Sequence, residues 1–318
     1  MPNANYDTLL TTTLANHMPK LVDNVFSARP FVYFLKQAGQ IRTIGGGSKI
    51  VLPLLYGQNG TAKSYSAYEE IDVTPQTGLT AAEYNWKQYA ASITISGIEE
   101  AQNNSEEQII DLLEAKTFQA EETITEKFDE MFITSGLTSN ATGNSGKDWL
   151  GLAALVKDSS STSIGGINQA TDTWWAPGHK NTTAGALTLA QMRTAYNTVS
   201  TGNDQPNVIL TTRTLFEKYE DLLQPQERFM DSKTADGGFQ NLLFKGAPIV
   251  YDNYVTAGDM YFLNTKYIRL VGHSDTWFKP TPFVRPNNRD ARYAQILCYG
   301  ELTISNRARQ GVLTAKTA

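Results

Sequence analysis

A long stretch with helical periodicity, residues 105–135, constrains the fold of this chain more than any other feature. Apolar side chains recur there every three or four residues, which places them on one face of an α-helix. They are Ile110, Leu113, Ala120, Ile124, Phe128 and Met131. Ser105 and Gln108 can form a capping box, and Gly136 can end the helix in the left-handed conformation. Such a helix would be roughly 45 Å long, so we predict a mechanical spine; an ordinary amphipathic helix over a core is the alternative.

Composition limits the class of protein. The chain has 318 residues, of which 41% are hydrophobic and 19% are charged, as in folded proteins. A formal net charge of -5 argues against a dedicated nucleic-acid binder. Cys298 is the only cysteine, so the chain can form neither an intrachain disulfide nor a thiolate metal cluster. The sequence shows neither a signal-peptide pattern nor an apolar run of about 20 residues, so we expect a soluble intracellular protein without membrane contact.

Residues 1–44 predict an N-terminal arm. A polar, threonine-rich beginning leads into apolar patterns at 21–26 and 31–37, which predict two short helices. The proline after Arg29 should help to stop the first helix, and Gly39 should end the second. We expect this arm to pack on another surface, which can belong to a neighbouring chain.

Residues 45–98 predict an extended β-hairpin. Runs rich in strand-forming residues cover 49–56 and 79–96, and Ile93 and Ile95 alternate as strand side chains do. The middle between the two runs is polar and contains glycine and proline turn signals. An isolated hairpin is marginal in water, so we expect it to lean on a surface. A pair of strands inside one larger sheet is the alternative.

The chain after the helix begins with polar, glycine-rich segments and then has the pattern of a compact α/β unit. Trp174 and Trp175 lie in a polar stretch, and we expect them to pack in the core; packing against another element or chain is the alternative. The predicted helices of the α/β unit cover 189–199 and 213–223. Its predicted strands form a small mixed sheet and cover 208–210, 242–244, 248–251, 260–263 and 267–271. Residues 277–286 and 291–305 predict two long strands.

The sequence offers no recognisable catalytic, cofactor or metal site. Its three histidines lie far apart and lack metal-type spacing. They are His17, His179 and His273. A run before Lys147 resembles a phosphate loop, but Ala141 stands in the place of its first glycine and Asp148 replaces the magnesium-binding Ser or Thr. Neither a nucleophile elbow nor a dinucleotide-binding glycine motif is present.

Charges are distributed unevenly along the chain. The acidic residues of the predicted helix spread over several turns, which indicates a solvated face. They are Glu121, Glu122, Glu126, Asp129 and Glu130. The C-terminal strands, in contrast, carry six cations against only Asp290 and Glu301. These cations are Lys279, Arg285, Arg289, Arg292, Arg307 and Arg309. Regions of opposite sign favour self-association, and a mixed surface without a partner is the alternative.

The order of these parts resembles the major capsid protein of tailed bacteriophages, the Hong Kong 97-type coat fold. The resemblance covers nearly the whole chain and is carried by residues 45–96, by the helix at 105–135, by the run from Gly143 to Leu152, and by the run 164–167 with Trp174 and Trp175. It implies an α+β fold. The implied parts are an N-terminal arm at 1–44, an extended hairpin loop at 45–98, a peripheral domain with the spine helix at 99–185, an axial α/β domain at 186–272, and C-terminal strands at 273–318 that return to the peripheral domain.

The resemblance also implies a function. The chain would be a structural protein, not an enzyme, and would assemble through pentamers and hexamers into an icosahedral virion head around double-stranded DNA, inside the host cytoplasm. The implied partners are other copies of the chain, weakly and non-specifically bound DNA, and separate scaffolding, portal and decoration proteins. An encapsulin-like cargo shell and a soluble α/β enzyme acting through 187–271 are the alternatives.

The hairpin of this fold reaches over an adjacent subunit, so the resemblance implies where copies touch. The expected inter-subunit contact residues are Lys63, Tyr65, Tyr68, Glu69, Glu70, Arg285, Arg289 and Arg292. Some relatives form a covalent Lys–Asn cross-link between neighbouring subunits. Lys63 would be the hairpin lysine of such a bond, with Asn287 or Asn288 as its partner.

Overall fold

The computed structural model describes residues 29–102, 106–134, 147–157, 163–223 and 242–318. Within them the chain folds into a five-stranded sheet, a six-stranded sheet, three two-stranded sheets that include the hairpin, and helices of which one is long. None of the described helices is long and apolar enough to cross a membrane.

The described part of the arm belongs to the core of its own chain. Helix α1, Pro30–Gln37, begins with a proline at its first position, where the missing N–H costs nothing. Its Phe31 and Leu35 side chains are fully buried. The backbone of Gly39 has a φ of 65°, the left-handed conformation that ends helices. The second predicted arm helix is therefore confirmed, whereas the first, at 21–26, lies outside the described residues.

The spine helix is present as α3, Glu106–Thr134, after a short helix α2, Gly97–Gln102. The predicted apolar face is buried where side chains are described, at Leu113, Ala120, Ile124, Phe128 and Met131. Phe128 packs against Tyr89 of the neighbouring sheet, with ring centroids 4.9 Å apart. The predicted caps Ser105 and Gly136 lie outside the described residues.

The spine helix packs on a five-stranded sheet. The strands are β1 Ile41–Ile44, β4 Lys87–Ser96, β13 Ile268–His273, β14 Lys279–Pro280 and β15 Ala291–Ile304. The long strand β15 is central, since it pairs with β13 and β14 on one edge and with β4 on the other. β1 pairs in parallel with β13.

This sheet corrects three predictions. Residues 267–271 do not complete the α/β sheet, because β13 pairs with β1 and β15 instead. The predicted return run 79–96 divides, and its second half is β4 in the large sheet. The predicted strand at 277–286 is reduced to β14 and one isolated bridge at Val284, where three prolines interrupt the ladder.

The second sheet has six strands in the order β10-β11-β9-β12-β16-β7. They are β7 His179–Asn181, β9 Val208–Thr211, β10 Leu242–Phe244, β11 Ala247–Tyr251, β12 Met260–Leu263 and β16 Gly311–Leu313. Helices α4, Leu189–Val199, and α5, Arg213–Leu223, share a hydrophobic cluster with this sheet, as the α/β pattern predicts. The C-terminal segment contributes a strand to this second sheet, because β16 pairs with β12. Of the C-terminal strands, β15 lies in the sheet beside the spine helix and β16 lies in the second sheet. The division into peripheral and axial domains, with 273–318 returning to the former, stays a prediction.

Short elements connect these parts. They are β5 Ser163–Ile164, β6 Ile167–Asn168, β8 Gly185–Ala186, β17 Lys316–Thr317, a π-helix at Ala153–Lys157, and 3-10 helices at Thr173–Trp175, Thr265–Tyr267, Ser274–Thr276 and Arg307–Arg309. Trp175 is buried and its Nε1 donates a hydrogen bond to the Ile164 carbonyl at 2.9 Å. Trp174 is only half-buried and stacks on Tyr56 of the hairpin at 4.8 Å.

Candidate assembly surface

The hairpin is a two-stranded antiparallel ribbon that has one buried face and one exposed face. Strands β2, Ile50–Leu55, and β3, Leu79–Tyr84, pair from Ile50 opposite Tyr84 to Leu55 opposite Leu79. Because successive side chains alternate between faces, Ile50 and Tyr84 point into the chain's own core. Leu55 and Leu79 lie on the other face and are 77% and 78% exposed. Both faces of the ribbon are apolar, but the isolated chain covers only one of them. The other face is therefore available to a partner.

The root of the hairpin is fixed by hydrogen bonds to the body. The Tyr84 hydroxyl donates to the Ile304 carbonyl at 2.9 Å, inside the core. The Glu83 backbone N–H donates to the Gly165 carbonyl at 2.9 Å. Burial raises the pKa of Tyr84, so this hydroxyl remains a donor at any physiological pH. The exposed face is therefore presented from a fixed base.

The tip of the hairpin, residues 57–78, is shaped by its own turns. At its base the Tyr56 N–H donates to the Gly78 carbonyl at 2.9 Å. A Cβ at Gly57 would stand 3.0 Å from the Gly78 Cα, so glycine lets the two chains meet there. Further out, the Asp72 carboxylate accepts hydrogen bonds from the Thr74 N–H at 2.9 Å and hydroxyl at 2.6 Å. These bonds from Thr74 lower the pKa of Asp72, which favours the ionised form of its carboxyl group.

Exposed apolar side chains are concentrated on this hairpin. Of the eleven large hydrophobic residues that are exposed in the described chain, eight lie between positions 51 and 79. They are Val51, Leu55, Tyr56, Tyr65, Tyr68, Ile71, Val73 and Leu79. Exposed apolar side chains that are concentrated on one element are typical of a protein interaction site.

Seven of the eight predicted contact residues are exposed. Five lie on the tip: Lys63, Tyr65, Tyr68, Glu69 and Glu70. Arg285 and Arg289 lie in an exposed turn before β15, which also carries Asn287 and Asn288. Contact of these residues with a neighbouring copy, and the Lys63 cross-link to Asn287 or Asn288, stay predictions.

Arg292 is a correction, because it is buried inside the chain with 2% of its surface exposed. It occupies a core-facing position of β15, in the alternation that also buries Ala294, Ile296 and Cys298. The sequence pattern counted its charge as surface charge, but strand alternation directs the side chain inward.

Arg307 is likewise buried and serves as an internal clamp. Its Nε donates to the Leu155 carbonyl at 2.8 Å, and its Nη1 donates to Gln169 Oε1 at 2.6 Å and to the Trp175 carbonyl at 3.1 Å. Glu301 of the same segment is buried as well. The basic C-terminal surface predicted from composition is therefore smaller than expected, because the side chains of Arg292 and Arg307 lie in the interior.

The interpretation of the helix carboxylates as one solvated face is wrong for two of the five. Glu121 and Asp129 are buried, while Glu122 and Glu126 are exposed and Glu130 is half-buried. Asp129 lies with Asp252 at a junction where Arg29 of the arm meets the spine helix, 3.6 Å from Arg29 Nε to Asp129 Oδ2. Burial first, and then the charge of Asp252, raises the pKa of Asp129.

Sequence reasoning missed the two-faced character of the β2–β3 ribbon. The signal was present, since Val51 and Leu55 alternate with Ile50 and Leu54 in a run that is apolar throughout. Such a run indicates a strand covered on both faces. Among the described residues, no group of three or more His, Cys, Asp or Glu side chains is placed to hold a metal ion.

Comparison with known proteins shows that the chain is similar to phage capsid proteins. The family model described as the SU10 major capsid protein matches residues 11–317. The capsid of cyanophage A-1(L) has a similar fold, with a TM-score of 0.67, 17% sequence identity, and 90% of this chain and 92% of that chain covered. The procapsid of satellite phage P4 gives a TM-score of 0.56 at 11% identity, covering 94% of this chain and 90% of that chain.

An encapsulin complex from Synechococcus elongatus also has a similar fold, with a TM-score of 0.53, 11% identity, and coverage of 89% of this chain and 88% of that chain. At such low identities these likenesses show a shared fold alone. No curated protein sequence matched the chain.

Proposed function

Because this chain belongs to the SU10 major capsid protein family, we propose that its hairpin is the arm that joins neighbouring copies in the shell. Family membership makes the protein a structural component of an icosahedral phage capsid, and not an enzyme. Copies of the chain self-assemble into an oligomeric shell that forms part of the virion.

The exposed apolar face of the β2–β3 ribbon is the observation that carries this proposal. Leu55 and Leu79 are cross-strand neighbours, and each is more than three-quarters exposed. Fully burying one leucine side chain contributes about 1.5–3 kcal/mol. Covering this pair with a neighbouring copy would therefore contribute about 3–6 kcal/mol to each contact, enough to decide whether copies associate.

The arrangement of copies is the second part of the proposal. The copies would form pentamers and hexamers that close into a head around double-stranded DNA, assembled in the host cytoplasm. Scaffolding, portal and decoration proteins would be separate partners. The net charge of -5 favours only weak, non-specific contact with the packaged DNA.

The encapsulin alternative shares this fold, so the fold alone does not separate the two functions. The family model favours the phage capsid, because it matches nearly the whole chain. Purified shells that contain a protein cargo and no DNA would favour the encapsulin instead.

Electron microscopy of the chain, with size-exclusion chromatography beside it, tests the role of the hairpin. The double variant Leu55→Ser/Leu79→Ser should remain a folded monomer with an unchanged melting temperature and should form few or no shells or capsomers. Phe118→Ser is the matched control, since Phe118 is an exposed apolar residue that belongs to the spine helix and not to the hairpin. Normal assembly of the double variant would contradict the proposal.

A further inference from the structure

Three separate parts of the chain meet at one buried pair of carboxyl groups. Asp129 lies near the C-terminal end of the spine helix, and Asp252 directly follows strand β11 of the second sheet. Arg29, the residue before helix α1, lies beside them, with its Nε 3.6 Å from Asp129 Oδ2. Asp129 and Asp252 are 1% and 5% exposed. The pair therefore lies where the arm, the spine helix and the second sheet contact one another.

The loop after β11 contacts the spine helix at two points. The side chains of Asp252 and Asp129 are close enough to hydrogen bond. Three residues earlier on the helix, Glu126 Oε1 accepts a hydrogen bond from the Tyr254 hydroxyl at 2.8 Å. Residues three apart lie on the same side of a helix, so both contacts use one side of it. The loop is thus a side-chain link between the second sheet and the spine helix.

Most carboxyl oxygens of the pair lack a donor when both groups are ionised. Asp252 Oδ1 accepts the Tyr254 backbone N–H at 3.0 Å. Asp252 Oδ2 and both oxygens of Asp129 are buried, and no donor in the described chain reaches them. Buried polar atoms are normally hydrogen-bonded, and two neighbouring negative charges repel each other. The fully ionised pair is therefore unfavourable in the folded chain.

A single proton resolves both problems. A protonated carboxyl group is a donor as well as an acceptor, so Asp129 can donate to the free oxygen of Asp252. Arg29 and the Tyr254 N–H then stabilise the one remaining negative charge. A metal cation does not fit, because the guanidinium of Arg29 would repel it. The described residues also contain no group of three side chains placed to hold a metal.

The surroundings assign the proton to Asp129. Burial first, and then the charge of Asp252, raises the pKa of Asp129 above its ordinary value of 3.8. Burial also raises the pKa of Asp252, but the Tyr254 N–H and Arg29 oppose this rise. The other ionisable groups around this contact are Glu126, Glu130 and the Tyr254 hydroxyl. Burial and the Glu126 hydrogen bond raise the pKa of Tyr254 to about 12, so its hydroxyl keeps its proton at neutral pH.

We propose that Asp129 and Asp252 share one proton and act as a pH-sensitive joint inside the subunit. With the proton, the joint holds the loop after β11 and the start of the arm against the spine helix. Without it, two buried negative charges face one arginine, and the loop is released from the helix. The proton thereby sets how firmly the second sheet is held to the spine helix, and with that the shape that the subunit offers its neighbours.

The direction of the pH effect follows from the two states of the joint. In the open joint Asp129 is in contact with water and ionises near its ordinary pKa of 3.8. In the closed joint its pKa is raised, so between these two values only the open joint loses its proton. Rising pH therefore favours the open joint across this interval, and the effect levels off above the raised pKa.

Hydrogen exchange of the Tyr254 amide measures how often the joint opens, because this N–H is bonded to Asp252. Its protection in the full-length chain is corrected for the intrinsic effect of pH on amide exchange. We expect the corrected protection to fall about tenfold per pH unit between pH 5 and 7, which is the slope for one proton. Equal protection at pH 5 and pH 7 would overturn the proposal.

Asparagine substitutions locate the proton. Asp129→Asn keeps a donor to Asp252 but cannot ionise, so protection of the Tyr254 amide should be independent of pH. Asp252→Asn removes the like charge that opposes ionisation of Asp129, so the fall in protection should level off at a lower pH. Glu122→Gln changes an exposed carboxylate of the same helix and is the matched control, with the wild-type slope. A wild-type slope in Asp129→Asn would refute the joint.

Infrared spectroscopy detects the proton itself, since a protonated carboxyl group has a carbonyl band that a carboxylate lacks. The buried Glu301 carboxyl also has a raised pKa, so the comparison is made between Glu301→Gln and Glu301→Gln/Asp129→Asn. At pH 6 the first chain should show a protonated-carboxyl band that the second lacks, and this difference should disappear as the pH is raised. Identical spectra at pH 6 would show that Asp129 is ionised in the folded chain, which excludes the shared proton.

Discussion

Replacing Glu301 by glutamine should remove a pH dependence from the stability of the subunit. The Glu301 side chain is buried in β15, where its Oε1 accepts the backbone N–H groups of Leu150 at 2.6 Å and Leu302 at 3.0 Å. Burial raises the pKa of this carboxyl group from 4.5 to about 8, because desolvation outweighs the two hydrogen bonds and the nearby Lys87 charge. Glutamine has the same shape and an oxygen that can accept the same two bonds, but it does not ionise.

The magnitude follows from the pH interval between the unfolded and folded pKa values. Below pH 4.5 the carboxyl is protonated in both states, so the wild-type protein carries no penalty. Between pH 4.5 and about 8 only the unfolded state ionises, and the free energy of unfolding falls by about 1.4 kcal/mol per pH unit. Above about pH 8 both states are ionised and the loss is complete, at about 5 kcal/mol.

Chemical denaturation of the unassembled wild-type and Glu301→Gln chains at pH 5 to 9 measures this difference. The variant should gain stability relative to the wild type as the pH rises to about 8 and then stay level. Other titrating groups, including the Asp129–Asp252 pair, are present in both proteins and cancel in the difference. Glu83→Gln is the control, since Glu83 is an exposed partner of Lys49 and should show a small, flat difference. Parallel stability curves for wild type and Glu301→Gln would refute the reasoning.

Three further predictions concern buried polar groups. Arg307→Ala should lower the free energy of unfolding by about 3 kcal/mol or more, because it leaves three buried acceptors unpaired; Arg309→Ala should cost much less, and equal losses in thermal denaturation would contradict this. Asp129→Asn should stabilise the chain more at high pH than at pH 5, since the raised pKa of Asp129 makes its ionisation oppose folding; a pH-independent effect in denaturant titrations would argue against it. Cys298 should react with a thiol reagent only after unfolding, because burial raises its pKa and blocks access, and rapid labelling of the native chain would disprove this.

The elements that the sequence predicts well are those in which local periodicity and packing agree. The spine helix is one, because three-to-four spacing produces one apolar face wherever the helix lies. Its buried carboxylates could not be predicted. Asp129 is covered by residues from another part of the chain, Asp252 and Arg29, and sequence spacing does not show that the helix is enclosed on more than one side.

Strand partners were harder to predict than strands. Residues 260–263 and 268–273 are close in sequence and both form strands, yet they belong to different sheets. The 3-10 turn at Thr265–Tyr267 connects them, held by the Asn264 side chain, which accepts the Lys266 N–H. A short turn of this kind can either return a strand to its neighbour or send it to another sheet, and local sequence does not distinguish the two. The position of Arg292 on the buried face of β15 depends on the same long-range pairing.

If the hairpin joins neighbouring copies, as proposed, its attachment to one end of the subunit body limits how a shell can close. A hairpin that binds a surface of the second copy other than its hairpin leaves the same surface of its own copy free for a third, so the contact is heterologous. Such contacts continue until the rotation between copies closes a ring, or else produce open filaments. One contact geometry can close as five or six copies only if the angle between neighbours adapts slightly. A ribbon that is fixed at its root by Tyr84 and shaped at its tip by its own local turns is suited to that adaptation, because the tip can change direction while the root stays in place.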